Sequence, residues 1–245
     1  MPILELTHLR TPSTPSNTPA PSKPSITTAL QQVRTHLAAK VHATHSRFYT
    51  PIPSSTQLSP STLSKDDDKT LDIYILASWP SLKAHTDFLQ NPVLRDEVLG
   101  AQEGILGFIQ GEHYELTHTP TIHPSSYNPS TSSSKSPIIE NLMGRLPLTS
   151  PILVLTRIEI PPRGEEKSPG HMALDSHRMN LQKRGGGYAS LILLDDADAT
   201  SKKRCYIILS GWESISSYTS WREESGVDSE GCVEVLVLQD LERGE

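Results

Sequence analysis

One histidine in this chain occupies a position that is typical of an acid–base group. His85 lies in the stretch WPSLKAHTDF (residues 79–88), and a related stretch, WESISSYTSW, begins 133 residues later at Trp212. Each stretch follows an apolar run, which predicts a strand that passes into a helix at the tryptophan. Helical spacing puts His85 on the same side as Leu82 and Leu89, so we expect it to point toward a sheet. A histidine in such a position can act as acid, base or ligand near neutral pH.

A second histidine and four aromatic residues could form a substrate-binding site with the predicted catalytic residue His85. These residues are Trp79, Tyr114, His113, Tyr218 and Trp212. The alternative interpretation is structural, because tryptophans at the start of helices usually anchor them in the core. Tyr218 takes the place of His85 in the second stretch, and both side chains have an apolar body and a polar tip. We therefore expect at most one active site, in the first half of the chain.

No other group of reactive residues forms a recognisable site in the sequence. The remaining histidine spacings of five and six residues do not place two ligands on one helix face (His113, His118 and His123; His171 and His177). We therefore predict no metal site and no cofactor. The triplet Gly185–Gly187 precedes a strand, which indicates a turn rather than a phosphate-binding loop. Three adjacent carboxylates, Asp66–Asp68, could bind a cation, but a solvated loop is the simpler interpretation.

Composition and charge limit the class of protein. The chain has 245 residues, 35% of them hydrophobic, and a net charge of −6, which argues against a nucleic-acid partner. No run of apolar residues is long enough for a membrane span, and the first residues do not read as a signal peptide. Cys205 and Cys232 both fall in apolar strand candidates, where thiols usually behave as small hydrophobes. These features predict a cytoplasmic protein in a reducing compartment, with no membrane or nucleic-acid partner.

Two repeated segments predict how the chain is organised. PILELTHL at Pro2 is matched by PILVLTRI at Pro151, in the same order as the two tryptophan stretches, so we predict a tandem duplication. Each copy reads as β-α-β-β-α-β, the ferredoxin-like order. We predict a first repeat at residues 1–116, a Pro/Ser/Thr-rich linker at 117–149 and a second repeat at 150–245. We also expect a Pro-rich flexible insertion at 11–23, followed by a helix that has Ser25 as its N-cap and runs to about Lys40.

Consecutive apolar residues in the second half indicate that both faces of its sheet are covered. The runs LILL, IIL and VLVL lack the alternation of a sheet with one wet face (residues 191–194, 207–209 and 235–238). Helices would cover one face, and the sheet of the first copy would cover the other. The predicted fold class is therefore α+β, with two ferredoxin-like repeats that pack sheet to sheet as a pseudo-dimer within one chain.

The duplicated pattern and the tryptophan stretches resemble the dimeric α+β barrel superfamily, as a tandem fused pair. Within it the chain is most similar to the antibiotic-biosynthesis-monooxygenase (ABM) domains. The resemblance implies a cofactor-independent monooxygenase acting on an apolar, aromatic or polyketide-like compound, with His85 as the base and Trp79 and Tyr114 shaping the pocket. It also implies the alternative of a non-catalytic ligand-binding or stress-responsive member. The haem-degrading branch has an asparagine where this chain has Thr7 and Thr156, which argues against haem degradation.

Overall fold

The computed structural model describes nine segments of the chain: residues 1–12, 22–42, 44–52, 70–118, 146–160, 168–184, 187–194, 204–225 and 232–243. They form two compact units. The first comprises Met1–Pro51, Pro60–His113 and Asp240–Glu245, and the second comprises Ile52–Ser59 and Tyr114–Gln239, as far as these are described. The predicted carboxylate loop at 66–68, Gly185, Gly186 and most of the predicted insertion and linker lie outside the described residues.

Six strands and helices in the first part of the chain follow the predicted β-α-β-β-α-β order, with one helix and a 3₁₀ turn added before the last strand. They are β1 (Ile3–Arg10), α1 (Lys23–Lys40), β2 (His45–Pro51), β3 (Asp72–Trp79), α2 (Leu82–Gln90), α3 (Pro92–Leu99), the 3₁₀ turn (Gly100–Gln102) and β4 (Gly107–His118). The second part contains β5 (Ile152–Ile160), α4 (Pro169–Arg184), β6 (Tyr188–Leu193), β7 (Arg204–Trp212), α5 (Ile215–Ser225) and β8 (Cys232–Asp240).

The strands pair antiparallel wherever their register is described. Three strands of the first unit are neighbours in the order β1-β3-β2, and the other five are neighbours in the order β8-β5-β7-β6-β4. The α+β class is as predicted. The descent of the two halves from one duplicated repeat, their domain boundaries and the sheet-to-sheet arrangement stay predictions. No helix among the described residues is long and apolar enough to cross a membrane.

Side-chain caps fix where the helices of the first unit begin. The predicted start of α1 at Ser25 was wrong by three residues, because Ser22 is the N-cap and its hydroxyl accepts from the Ser25 backbone N–H. Pro24 fits there because the first turn of a helix needs no N–H donor from it. Ser81 caps α2, its hydroxyl accepting from the Ala84 N–H at 3.1 Å. This cap follows directly after β3 and sets the direction of the helix that carries His85.

The core of the first unit packs one face of its sheet against α1. Leu9, Phe48 and Ile73 contribute from the strands, and Ile26 and Leu30 from the helix. The end of the chain joins the same core. Leu241 belongs to it, and its N–H donates to the Phe48 carbonyl at 2.9 Å. Arg34 of α1 donates two hydrogen bonds, of 2.7 and 2.8 Å, to the carboxylate of Glu242. The last residues of the chain therefore help to hold the first unit together.

The sheet of the second unit is buried on both faces, as the consecutive apolar residues predicted. Ile152, Val154 and Ile158 of β5 pack with Leu174 and Leu181 of α4. The alternate residues of β5, Leu153 and Leu155, point to the other face and are fully buried as well. What covers that other face stays a prediction.

Candidate functional site

The register of β1 and β3 brings a carboxylate next to the tryptophan that ends β3. Ile3 lies opposite Trp79 and Glu5 opposite Ala77, so Glu5 and Trp79 are diagonal neighbours on the same face of the sheet. The indole N–H of Trp79 donates to Oε2 of Glu5 at 2.6 Å, and the hydroxyl of Thr7 donates to Oε1 at 2.7 Å. Both carboxylate oxygens are therefore held in place by donors.

Helix α2 places His85 over this carboxylate. His85 is 5% exposed, and its ring packs against Trp79 with the ring centroids 4.5 Å apart. Its Nε2 lies 3.5 Å from Oε2 of Glu5. His85 points toward the sheet as expected, but the reason given by the sequence was wrong. Leu82 and Leu89 are 42% and 43% exposed, and the buried neighbour of His85 on the helix is Phe88.

Strand β4 supplies a second histidine to the same place. The distance between Nε2 of His113 and Nδ1 of His85 is 2.8 Å, a hydrogen bond whose donor depends on the tautomers. His113 is half-buried, so it is the more accessible of the two imidazoles. We call Glu5, Trp79, His85 and His113 the first-unit cluster. One ligand atom from each of Glu5, His85 and His113 lies within 4.8 Å of the others.

The surroundings of His85 favour its neutral form. Burial lowers the pKa of His85 below its usual 6.5, the charge of Glu5 raises it in part, and His113 lowers it further. A neutral imidazole has one nitrogen that can accept a proton, which is what a general base requires. The carboxylate beside it would stabilise the imidazolium that forms on proton uptake. The first-unit cluster therefore has the composition of an acid–base site.

An exposed aromatic ring lies near the first-unit cluster. Gly111 of β4 is exposed, and a Cβ at that position would lie 3.4 Å from the ring of Phe108 and 3.9 Å from Oε1 of Glu5. Phe108 and Ile109 are 67% and 50% exposed. A small residue at 111 thus leaves the Glu5 carboxylate close to an exposed aromatic ring.

The second unit has no acid–base group at the corresponding place. Trp212 is 1% exposed, and its indole N–H donates to the hydroxyl of Ser210 at 2.9 Å, not to a carboxylate. The repeat aligns Glu5 with Val154, which is fully buried. Tyr218 packs edge-on against Trp212, with ring centroids 5.3 Å apart, and Trp221 completes an aromatic group. The indole N–H of Trp212 is therefore satisfied by a hydroxyl, while the guanidinium of Arg184 lies over its ring at 3.4 Å.

The structure brings some of the predicted site residues together and separates others. Trp79, His85 and His113 meet in the first-unit cluster, whereas Trp212 and Tyr218 form the aromatic group of the second unit. Tyr114 is fully buried and lies opposite Leu193 of β6, on the other face of β4 from His113. Sequence reasoning missed Glu5. The signal was an acidic residue between two leucines of β1, where the matching segment has a valine.

Comparisons with known proteins identify the fold. No family model and no curated protein matches the chain. Among solved structures, a candidate monooxygenase from Fusobacterium nucleatum matches with 13% identity and a TM-score of 0.52, covering 98% of this chain and 93% of its own. An anthrone oxidase-like protein matches with 15% identity and 0.52, covering 97% and 91%. A candidate chlorite dismutase matches with 8% identity and 0.52, covering 98% and 94%.

The chain has the fold of the dimeric α+β barrel superfamily, as the sequence predicted. Some members of that superfamily use haem, so the fit of His85 to a haem iron was tested against its contacts. Nδ1 of His85 bonds to His113, and Nε2 faces Glu5 at 3.5 Å. Both nitrogens of His85 therefore face protein groups, and neither is turned toward a haem iron. The arrangement does not fit a haem ligand.

Proposed function

We propose that the first unit carries a small-molecule acid–base site and that the protein is a cofactor-independent, monooxygenase-like enzyme acting on an apolar aromatic compound. The observation that carries this proposal is the continuous chain of side chains from Glu5 through His85 to the half-buried His113. The names of the structural neighbours support the reaction class, because they include a candidate monooxygenase and an anthrone oxidase-like protein.

The reaction needs a base, a stabilised positive charge and an apolar surface. His113 takes a proton from an acidic C–H of the substrate and passes a proton to His85 through the hydrogen bond between the two rings. His85 is therefore the base that holds the proton, and the charge of Glu5 lies beside it. The exposed ring of Phe108, which lies beside Gly111, supplies an apolar contact for an aromatic substrate. The carbanion is oxidised by O₂: one CH₂ group and one O₂ molecule give one carbonyl group and one water molecule.

Substitution of His85 by alanine tests the proposal. We expect His85→Ala to abolish oxygen uptake with an anthrone as substrate, while His36→Ala, an exposed histidine of α1, leaves the rate unchanged. The pH profile is a further readout. Because the pKa of His85 is lowered, the rate should persist below pH 6.5 and fall as the pH passes through the lowered pKa. Glu5→Gln removes the charge that raises this pKa, so the fall should move to lower pH. Undiminished turnover by His85→Ala would refute the role of the pair.

A non-catalytic ligand-binding protein is the second candidate. It is favoured by the second unit, in which the same tryptophan-to-helix arrangement holds a buried aromatic group and Trp212 donates to Ser210 rather than to a carboxylate. That unit has a packing role that needs no chemistry, and the first could differ only in binding an apolar ligand. Saturable binding of an anthrone with no product by mass spectrometry, in the wild-type protein, would favour this candidate.

A further inference from the structure

Two imidazoles and a carboxylate converge in the first-unit cluster, which is more than a single general base requires. We propose that Glu5, His85 and His113 bind a divalent metal ion of the zinc class and that the bound ion blocks the acid–base pair. The binding stands on the geometry alone. The blocking rests on the proposed function.

The donor set suits this class of ion. Imidazole nitrogen and carboxylate oxygen are common zinc ligands, with bonds of about 2.0–2.2 Å, so neighbouring donors around a tetrahedral ion lie ~3.4 Å apart. In the cluster, one ligand atom from each of the three residues lies within 4.8 Å of the others. A single ion binds one nitrogen of His85, and Nε2, 3.5 Å from Oε2 of Glu5, is the nitrogen that faces the carboxylate. The widest separation, within 4.8 Å, would close by rotation of the half-buried His113. The ion would then replace the His85–His113 hydrogen bond.

The residues around these donors hold them as the outer shell of a metal site does. Outer hydrogen bonds to a ligating carboxylate orient it, and their loss typically weakens metal binding ~10–100-fold. Here Trp79 and Thr7 donate to the two oxygens of Glu5. The Trp79 ring also packs on His85, fixing its orientation. Protein donors occupy three positions, and water would take the fourth.

The same donors discriminate against the common hard cations. Mg²⁺ and Ca²⁺ prefer six or more oxygen ligands, and the cluster offers one carboxylate and two nitrogens. Imidazole favours zinc, copper, nickel and iron. We therefore expect Zn²⁺ and its spectroscopic substitute Co²⁺ to bind, and Mg²⁺ not to compete.

Titration of the full chain with metal ions tests the inference. After dialysis against a chelator, we expect calorimetry to find one strong Zn²⁺ site and Co²⁺ to give visible ligand-field absorption. His113→Ala, which removes a ligand, should weaken Zn²⁺ binding by more than ~10-fold, and Trp79→Phe, which leaves the ligands but removes a donor to Glu5, by ~10–100-fold. His36→Ala, away from the cluster, should bind as the wild type does.

The outcomes separate this inference from the proposed function. Circular dichroism reports whether each variant is folded; should His113→Ala unfold, Trp79→Phe and Thr7→Val still test the site. Absence of a strong Zn²⁺ site in the wild type, unchanged binding in the cluster variants, equal loss in His36→Ala, or competition by Mg²⁺ would each overturn the metal site. Zn²⁺ binding in a protein that does not oxidise an anthrone leaves the metal site standing and removes the enzyme. Turnover without Zn²⁺ binding does the reverse.

Discussion

A buried histidine in the second unit should make the stability of the protein fall steeply in mild acid. His177 of α4 is 5% exposed, and its ring packs edge-on against Trp221 with centroids 5.5 Å apart. Among the described residues, its Nδ1 has no hydrogen-bond partner. Burial lowers the pKa of His177 from 6.5 to about 4. Protonation in the folded state would leave a buried charge without a partner, so the folded protein keeps this imidazole neutral.

The size of the effect follows from the two pKa values. Between pH 6.5 and 4, the unfolded chain binds a proton at His177 and the folded chain does not, so acid favours unfolding. The stability that the protein has with a neutral His177 is fully present above pH 6.5. It decreases as the pH falls, and the loss is complete at about pH 4. The whole shift corresponds to ~3 kcal/mol, and ~2 kcal/mol of this is lost at pH 5.

The prediction compares the wild type with His177→Leu, which keeps an apolar side chain against Trp221 and has no proton to gain. Urea unfolding at pH 7 and pH 5 should show the wild type losing ~2 kcal/mol more of its free energy of unfolding than the variant. His36→Leu, at an exposed position of α1, should follow the wild type. An equal loss in the wild type and in His177→Leu would refute the reasoning, as would an imidazole resonance of His177 that titrates near pH 6.5.

Two further predictions concern packing and hydrogen bonds. Thr7→Val removes the donor to Oε1 of Glu5 and should lower the free energy of unfolding, measured by urea denaturation, by ~2 kcal/mol. The control is Thr86→Val, because the Thr86 hydroxyl donates to the Leu82 carbonyl of its own helix; it should change that free energy by less than ~0.5 kcal/mol. Similar losses in the two variants would show that the charge on the acceptor is unimportant. Gly170→Ala places a Cβ against the Glu159 carbonyl and should lower the free energy of unfolding, measured by thermal unfolding, by ~1–3 kcal/mol. In the control Gly100→Ala, the new Cβ meets no atom within 4 Å, so the change should be neutral or stabilising by ~0.4–1 kcal/mol. A Gly170→Ala variant as stable as the wild type would contradict the close approach of α4 to β5.

The sequence predicted the elements well because their periodicity is a local property. The tryptophan that ends β3 and the serine that caps α2 lie within three residues of each other, and the handover from strand to helix follows from these neighbours. The apolar runs of the second half likewise predicted a sheet buried on both faces. The start of α1 was misplaced because Ser22 and Ser25 are both acceptable caps, and the choice depends on how Pro24 fits the first turn.

The candidate site could be predicted only in part, because it depends on contacts between distant segments. Glu5 and Trp79 are 74 residues apart, and His85 and His113 are 28 apart. The register of β1 on β3 decides that Glu5 lies beside the tryptophan, and a shift of one residue would turn it to the other face. The spacing of leucines on α2 suggested a buried stripe that the fold does not use, since Phe88 fills that place. No local pattern distinguishes these alternatives.

The contribution of Leu241 and Glu242 to the first unit has a practical consequence for anyone dividing the chain. A fragment that stops after β4 lacks both the Leu241 side chain in the core and the carboxylate that binds Arg34. Such a truncation would leave an apolar cavity beside α1 and a half-buried guanidinium, that of Arg34, without its counter-ion. Isolation of the histidine-bearing half by a single cut is therefore expected to fail.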